Sequence, residues 1–377
     1  MRLLLSDTSA YRPTSPFFVE AAAQLAQKDA GEFSYEFCDE APFDKGGSRL
    51  LQRIARRIAR RPPVDCAAIN RRFLTQAVAF RPDLILICKG AFLTRATLAR
   101  VKAATGAALI NYATDDPFNS RVSPPGQIET IPLYDLYVCT KWAIMKDVVR
   151  AGCSNVMYLP FGYQPSVHFP EPPASAEERR RFDSDVVFIG SYDRERIVFF
   201  RHLLKQIPSL KLALYGGQWN RSLRLRRYWR GFALGRDFRL ALAGARIAVN
   251  LVRHANRDTH SMRSFELPAC GCFMLAERAD EHLALFQDEH EGAYFSSPQE
   301  FAAKVRYYLA HERERAEIAQ AQYLRVTTGG HTYGDRLAAI LAAAKGLSRK
   351  EKSVQPRAAE AMNRQIAIGA RERTGYP

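Results

Sequence analysis

Side chains that can hold a phosphorylated ligand stand close together in segment 258–266. Arg263 and Glu266 lie at positions i and i+3, and Thr259 or Ser261 can cap a helix that begins there. A guanidinium neutralises phosphate, helix N–H groups attract it, and a carboxylate accepts hydrogen bonds from paired ribose hydroxyls. The segment therefore predicts a nucleoside diphosphate site. The alternative is an ordinary amphipathic helix with a surface ion pair between Arg263 and Glu266.

A second phosphate-type pattern precedes it in the chain. Gly190 follows the apolar run 185–189, and Arg196 stands in the helical segment after it. A glycine at a strand end lets backbone N–H groups approach a phosphate, and arginine neutralises the charge. A tight strand-to-helix turn with solvated arginines is the alternative.

The first half of the chain offers carboxylates at predicted strand ends. Asp115 and Asp116 follow the apolar run 107–112, and Lys89 follows the run 83–88. Asp116 is a candidate general base for an inverting transfer. Paired aspartates could also bind a metal ion, but no metal is expected, because a helix dipole and arginine can supply the positive charge instead. His260 is the one histidine expected to act beside the phosphate site.

Short apolar runs alternate with helical segments and must position these residues. The runs are 3–5, 83–88, 107–112, 133–139 and 156–159 in the first half, and 185–189, 210–215, 247–252 and 272–276 in the second. Strands that are apolar on both faces predict parallel sheets covered by helices. We expect an α/β fold of two Rossmann-like doubly wound domains, 1–165 and 183–345, facing a central cleft. A basic tail over 346–377 is expected to be loosely held, with disorder as one outcome.

The pattern Arg263-x-Phe265-Glu266-x-x-Ala269-Cys270-Gly271, followed by an apolar strand and Glu277, resembles the donor-site helix of GT-B glycosyltransferases, specifically the CgeB-like branch. The resemblance spans about residues 184–341 and implies the GT-B fold. Related retaining enzymes carry two glutamates, the first near the sugar and the second on the ribose. Glu266 matches the second, whereas Asp258 replaces the first.

The resemblance also implies roles for several residues. Gly190, Arg196, Gly216, Arg263 and Glu266 are the expected donor-binding residues, and Asp258, Arg263 and Asp116 the expected catalytic ones. Gly216 belongs to the loop 214–219, whose Trp219 either neighbours the nucleotide base or packs against a wall of the site.

Composition and net charge limit the classes of binding partner. The 377 residues carry 55 Lys and Arg against 39 Asp and Glu, a net charge of +16, which favours an anionic surface or substrate. The stripe of arginines and apolar residues over 48–61 could lie on an anionic membrane or cover its own domain. The cluster 221–230 could stack on sugars or nucleobases, but no nucleic-acid motif accompanies it, so nucleic acid is not an expected partner. Seven scattered cysteines favour a cytoplasmic protein, in peripheral contact with a membrane if that stripe binds lipid.

The expected function is sugar transfer from a UDP- or GDP-linked donor, as substrate, to a glycan, lipid or protein acceptor. No cofactor or metal is expected. Retention of anomeric configuration is expected through front-face transfer, with inversion through Asp116 as the other possibility. A non-catalytic GT-B-shaped structural or binding protein is the alternative function, since Asp258 departs from the family pattern.

Overall fold

The computed structural model describes residues 1–7, 14–29, 31–40, 66–124, 126–287 and 290–350. It divides into two compact units. The first unit contains Met1–Pro160, Ala255–Arg257 and Arg336–Pro377, and the second contains Phe161–His254 and Asp258–Asp335.

A parallel sheet of six strands forms the core of the first unit, in the order β2-β1-β3-β4-β5-β6. The strands are β1 Arg2–Asp7, β2 Ser34–Asp39, β3 Leu84–Cys88, β4 Ala108–Ala113, β5 Leu136–Cys139 and β6 Val156–Tyr158. The helices are α1 Ser15–Lys28, α2 Cys66–Phe80, α3 Arg95–Thr105, α4 Gly126–Thr130 and α5 Trp142–Arg150. Every residue of β3 is buried, as expected for a strand covered on both faces.

The second unit contains a parallel sheet of five strands in the order β11-β10-β9-β7-β8. The strands are β7 Ser184–Ile189, β8 Leu212–Tyr215, β9 Ala245–Asn250, β10 Met274–Glu277 and β11 Ala293–Phe295. The helices that follow β6 in the chain are α6 Ala176–Phe182, α7 Arg194–Gln206, α8 Arg236–Ala243, α9 Arg263–Ala269, α10 Asp280–Leu285, α11 Pro298–Ala310, α12 Glu312–Thr328 and α13 Tyr333–Lys350.

All the predicted apolar runs form strands, and the prediction of two doubly wound parallel α/β domains is confirmed. The sequence did not indicate β2 or β11. Strand β2 is mostly half-buried, so its residues are not uniformly apolar, and β11 has only three residues. The domain bounds 1–165, 183–345 and 346–377 remain predictions and are not the same as the bounds of the two units given above.

The arginine stripe 48–61 lies outside the described residues. Within the part of the chain that is described, no helix has both the length and the apolar character needed to span a bilayer.

Candidate functional site

The strand order of the second sheet creates a switch point between β7 and β9. The chain leaves β7 toward β8 on one side, and reaches β9, β10 and β11 on the other. Loops after β7 and β9 therefore diverge at the carboxyl ends of these strands and leave a crevice, which is where open α/β sheets bind ligands. Gly190 ends β7, and the segment with Asp258 and Arg263 follows β9.

Two arginines cross this switch point in opposite directions. Arg196 lies on α7, after β7, and its Nη2 donates to the carbonyl of Leu251 beyond β9 at 3.5 Å. Arg263 begins α9, after β9, and its Nε donates to the carbonyl of Ile189 at the end of β7 at 3.0 Å. Each guanidinium is thus held by the opposite strand end, so the two positive charges lie at the same edge of the sheet.

Arg196 contacts no carboxylate of the residues that the structure describes. Asp193 caps α7 by accepting from the N–H of Glu195, which fixes the first turn of the helix that carries Arg196. Its Nη1 donates to the Ser191 carbonyl at 2.8 Å, and its buried Nε has no acceptor. Burial, and then the positive charge of Arg253, lower the pKa of Arg196 to about 10. A group in these surroundings gains stability when an anion binds.

Glu266 is a buried carboxylate that holds Arg263. It is 2% exposed, and its Oε2 pairs with Nη1 of Arg263, whose side chain is 32% exposed. Its Oε1 faces Nε2 of His168 at 3.5 Å. The ion pair of the alternative interpretation therefore exists, but it is internal and its guanidinium faces the edge of the sheet.

His168 presents a fixed proton to Glu266. Its Nδ1 accepts from the Gln164 N–H at 3.0 Å, so the ring proton must be on Nε2. Burial, followed by the charge of Arg263, lowers the pKa of His168 to about 3, so the ring is neutral. Phe238 packs edge-on against the ring and lies beneath the guanidinium of Arg263. These contacts fix the orientation of the Arg263–Glu266 pair.

The two glycines have a packing role in this structure. Gly216 has a φ of +121°, and a Cβ there would lie 2.4 Å from the Gly190 carbonyl oxygen. The N–H of Gly190 donates to Tyr215, and that of Gly216 donates to Gly231. Neither N–H is available to a phosphate, so these positions keep two loops close together. Trp219 is fully buried and donates to the Gly190 carbonyl at 2.8 Å, which assigns it to the core.

The start of α9 likewise uses its own N–H groups. The N–H of Arg263 donates to Ser261 Oγ, and the next three donate to the carbonyls of Ser261 and Met262. These four N–H groups are therefore not available to a diphosphate, contrary to the expectation that they would attract it. Positive charge at the site comes from the guanidinium groups.

Carboxylates next to the site are paired as well. Asp258 is buried, and its Oδ2 lies 3.5 Å from Nε of Arg253. Glu277, at the end of β10, accepts from the Val252 N–H at 3.2 Å and pairs with Nε2 of His254 at 2.7 Å. Both carboxylates hold the segment that follows β9.

His260, the expected reactive histidine, is a structural residue. It is fully buried, its Nδ1 contacts Glu281 Oε2 at 2.6 Å, and its Nε2 accepts from the Phe161 N–H at 3.3 Å. Since both ring nitrogens are engaged, the geometry does not fit a role as a base.

Asp116 lies in the first unit and forms a two-pronged ion pair. Its carboxylate oxygens accept from Nε and Nη2 of Arg257 at 2.7 and 2.9 Å, and Oδ1 also accepts from the Phe118 N–H. These three residues line an open surface pocket of about 500 Å³ with Asp147. The neighbouring Asp115 pairs with Lys89 at 2.7 Å. This geometry does not fit the expected general base, nor a pair of metal ligands.

No group of three or more metal-ligating side chains occurs in the ranges that the structure covers. Of the expected donor residues, Arg196, Arg263 and Glu266 come together at the switch point, and the glycines support the loops beside them. The structure adds His168 and Phe238, which contact the Arg263–Glu266 pair from distant parts of the chain. No local spacing signals such contacts.

Comparisons with known proteins agree with this architecture. Residues 194–342 match the glycosyl transferase-like family. HepE from Anabaena, solved with UDP and glucose, aligns with a TM-score of 0.62 and 14% identity over 91% of this chain and 100% of its own. Sucrose-phosphate synthase from Thermosynechococcus elongatus aligns with a TM-score of 0.65 and 11% identity, covering 92% and 99%. Trehalose 6-phosphate synthase from Burkholderia multivorans gives 0.60 and 11%, covering 95% and 99%.

No curated protein matches the sequence. The structural neighbours confirm the GT-B fold. The family match over residues 194–342, together with this fold, supports a glycosyltransferase.

Proposed function

We propose that the chain transfers a sugar from a UDP- or GDP-linked donor to a hydroxyl of a glycan, lipid or protein. The observation that carries this proposal is the pair of guanidinium groups of Arg196 and Arg263, which cross the β7–β9 switch point. They provide two positive charges where a diphosphate would lie. The UDP in the HepE structure supports a UDP-linked donor.

In this mechanism the arginines stabilise the leaving group. As the bond between the anomeric carbon and diphosphate breaks, negative charge grows on the phosphate oxygens, and preorganised cations lower the energy of that state. Glu266 orients Arg263, and its lone pairs beyond those facing Arg263 and His168 can accept from ribose hydroxyls. Asp258 is the proposed carboxylate on the sugar side.

Retention is the proposed stereochemical outcome. A donor phosphate oxygen takes the proton of the acceptor hydroxyl. At the same time the hydroxyl oxygen bonds to the anomeric carbon, on the same face from which the diphosphate leaves. Inversion would need a protein base, and both oxygens of Asp116 are bound by Arg257. This favours the front-face route.

The same charges support the proposal that transfer is independent of metal. Arg196 and Arg263 supply the positive charge that Mg²⁺ supplies in metal-dependent transferases, so we expect binding and transfer to survive EDTA.

A panel of UDP- and GDP-sugars, incubated with the full chain and varied acceptors, tests the proposal through release of nucleoside diphosphate. We expect release with and without EDTA, and a product of unchanged anomeric configuration by NMR. An inverted product would refute retention, a strict Mn²⁺ or Mg²⁺ requirement would refute metal independence, and failure to bind any nucleoside diphosphate would refute the donor site.

Three finer assignments complete the proposal. The pattern around Glu266 supports the CgeB-like branch, and the scattered cysteines support a cytoplasmic protein. The arginine stripe 48–61 is a candidate contact with anionic membrane. Replacing Arg53, Arg56, Arg57 and Arg60 together by Gln should then lower sedimentation with anionic vesicles, whereas unchanged sedimentation would refute this contact.

A further inference from the structure

The loop between β8 and α8 exposes basic and apolar side chains together. We call residues 221–234 the basic loop; it contains five arginines and no acidic residue. Leu223 is 81% exposed, Phe232 53% and Leu234 54%, which are high values for large apolar side chains. A mixture of exposed apolar groups and unbalanced positive charge in one segment marks an interaction surface.

The basic loop is held in place, so this exposure is a property of its fold. Leu225 is fully buried and anchors the middle of the loop. The Arg230 N–H donates to the Leu214 carbonyl at 2.9 Å, and the carbonyl of Gly231 accepts from Gly216 at 2.7 Å. Trp229 Nε1 donates to the Gly216 carbonyl at 2.8 Å. The loop therefore lies along the end of β8 and leaves Leu223, Phe232 and Leu234 exposed.

Three arginines of the basic loop carry charge that no described acidic side chain neutralises. Arg221, Arg224 and Arg226 are exposed, and none has an ion-pair partner among residues the structure describes. By contrast, Arg236 and Arg239, in the helix that follows, both pair with Glu171. An anionic partner would supply the charge that the loop arginines lack.

We propose that the basic loop is a docking surface for an anionic lipid bilayer. In this arrangement the arginine guanidinium groups contact lipid phosphates, while Leu223 and Leu234 enter the boundary between the lipid head groups and the acyl chains. Interfacial membrane segments bind in the same way. A nucleic acid would satisfy the arginines but would leave both leucines in water. The leucines therefore favour the bilayer and distinguish the two partners. This surface belongs to the second unit and is independent of the stripe 48–61.

Vesicle binding by the full chain tests the proposal. The charge variant combines Arg221→Gln, Arg224→Gln, Arg226→Gln and Arg227→Gln, and its control combines Arg201→Gln, Lys205→Gln, Arg306→Gln and Arg313→Gln, four exposed basic residues on α7, α11 and α12. Binding to vesicles of mixed phosphatidylcholine and phosphatidylglycerol should fall at least about tenfold in the charge variant, since each basic residue at a membrane contributes about fivefold. The control should stay within about threefold, because these residues lie outside the basic loop and salt screens their weaker attraction to the lipid.

A second variant separates lipid from nucleic acid. Leu223→Ser with Leu234→Ser keeps every charge and should weaken vesicle binding by about tenfold or more, because two exposed side chains lose their apolar burial. Binding to a single-stranded RNA probe should be unaffected by this change. Equal vesicle binding by the charge variant and its control, or no binding to anionic vesicles by the unsubstituted chain, would overturn the proposal. Tight RNA binding by the unsubstituted chain, combined with vesicle binding that the leucine variant leaves unchanged, would also overturn it.

Nucleoside diphosphate affinity, measured on the same variants, separates this proposal from the donor site. None of the substituted residues contacts Arg196, Arg263 or Glu266, so we expect unchanged nucleotide affinity. Loss of lipid binding with intact nucleotide binding supports the docking surface alone.

Discussion

Replacing Glu266 by Gln removes the charge that holds Arg263 while keeping the side-chain shape. In the structure, one oxygen of Glu266 pairs with Arg263 and the other faces Nε2–H of His168. Gln retains one carbonyl acceptor but no charge, and it turns an amide N–H toward one of these two donors. Arg263 keeps its bond to the Ile189 carbonyl and its contact with Phe238, so we expect the fold to survive.

The expected loss is in nucleotide affinity. A hydrogen bond to a charged group contributes about 1.5–3 kcal/mol, so Glu266→Gln should weaken nucleoside diphosphate binding by about tenfold to somewhat over a hundredfold. Isothermal titration calorimetry measures this, with circular dichroism as the check on folding. Glu317→Gln is the matched control, because Glu317 pairs with Arg313 on the exposed surface of α12, where an ion pair contributes little. Unchanged affinity in a folded Glu266→Gln variant would refute the assigned role.

Three further predictions concern other parts of the molecule. Asp116→Asn should lower thermal stability, because it weakens the pair with Arg257, but should reduce kcat by less than about tenfold; a loss of about a hundredfold or more would restore Asp116 as a base. Gly216→Ala should destabilise the chain in denaturant by more than about 1 kcal/mol, because its φ is positive and its Cβ meets the Gly190 carbonyl, whereas Gly217→Ala should be tolerated; equal effects would contradict this packing role. Burial lowers the pKa of His168 to about 3 and that of His282 to about 4. Between about pH 6.5 and pH 3 the unfolded chain therefore binds more protons than the folded chain, so stability should decrease as the pH is lowered. Denaturation midpoints that do not change over this window would refute this prediction.

The apolar runs were sufficient to predict most of the fold, because strands buried on both faces consist almost entirely of apolar residues. Strand β3 is such a run and is buried throughout. Strand β2 is the edge strand of the described sheet, next to β1, where partial burial permits polar residues and the apolar run is lost.

The site was predictable only in part. Arg263 and Glu266 were identified together because their contact is local to one helix turn. The contact of His168 with Glu266 and the pairing of Asp116 with Arg257 join distant segments, and chain folding alone brings them together. The sequence suggested a phosphate contact at Gly190 but gave no sign that the Tyr215 carbonyl accepts its N–H, because that bond joins two neighbouring strand ends.

Titration of UDP and GDP into the full chain and its Arg196→Gln variant tests the central claim most directly. Among the described residues, Arg196 donates to backbone carbonyls alone and its buried Nε has no acceptor, so its removal leaves none of their carboxylates unpaired at bonding distance. We predict that the unsubstituted chain binds at least one of the two nucleotides in the presence of EDTA, and that Arg196→Gln weakens this binding by about tenfold or more, since one charge-assisted hydrogen bond to phosphate is lost. Equal affinity of a folded Arg196→Gln variant would contradict a diphosphate site at the β7–β9 switch point.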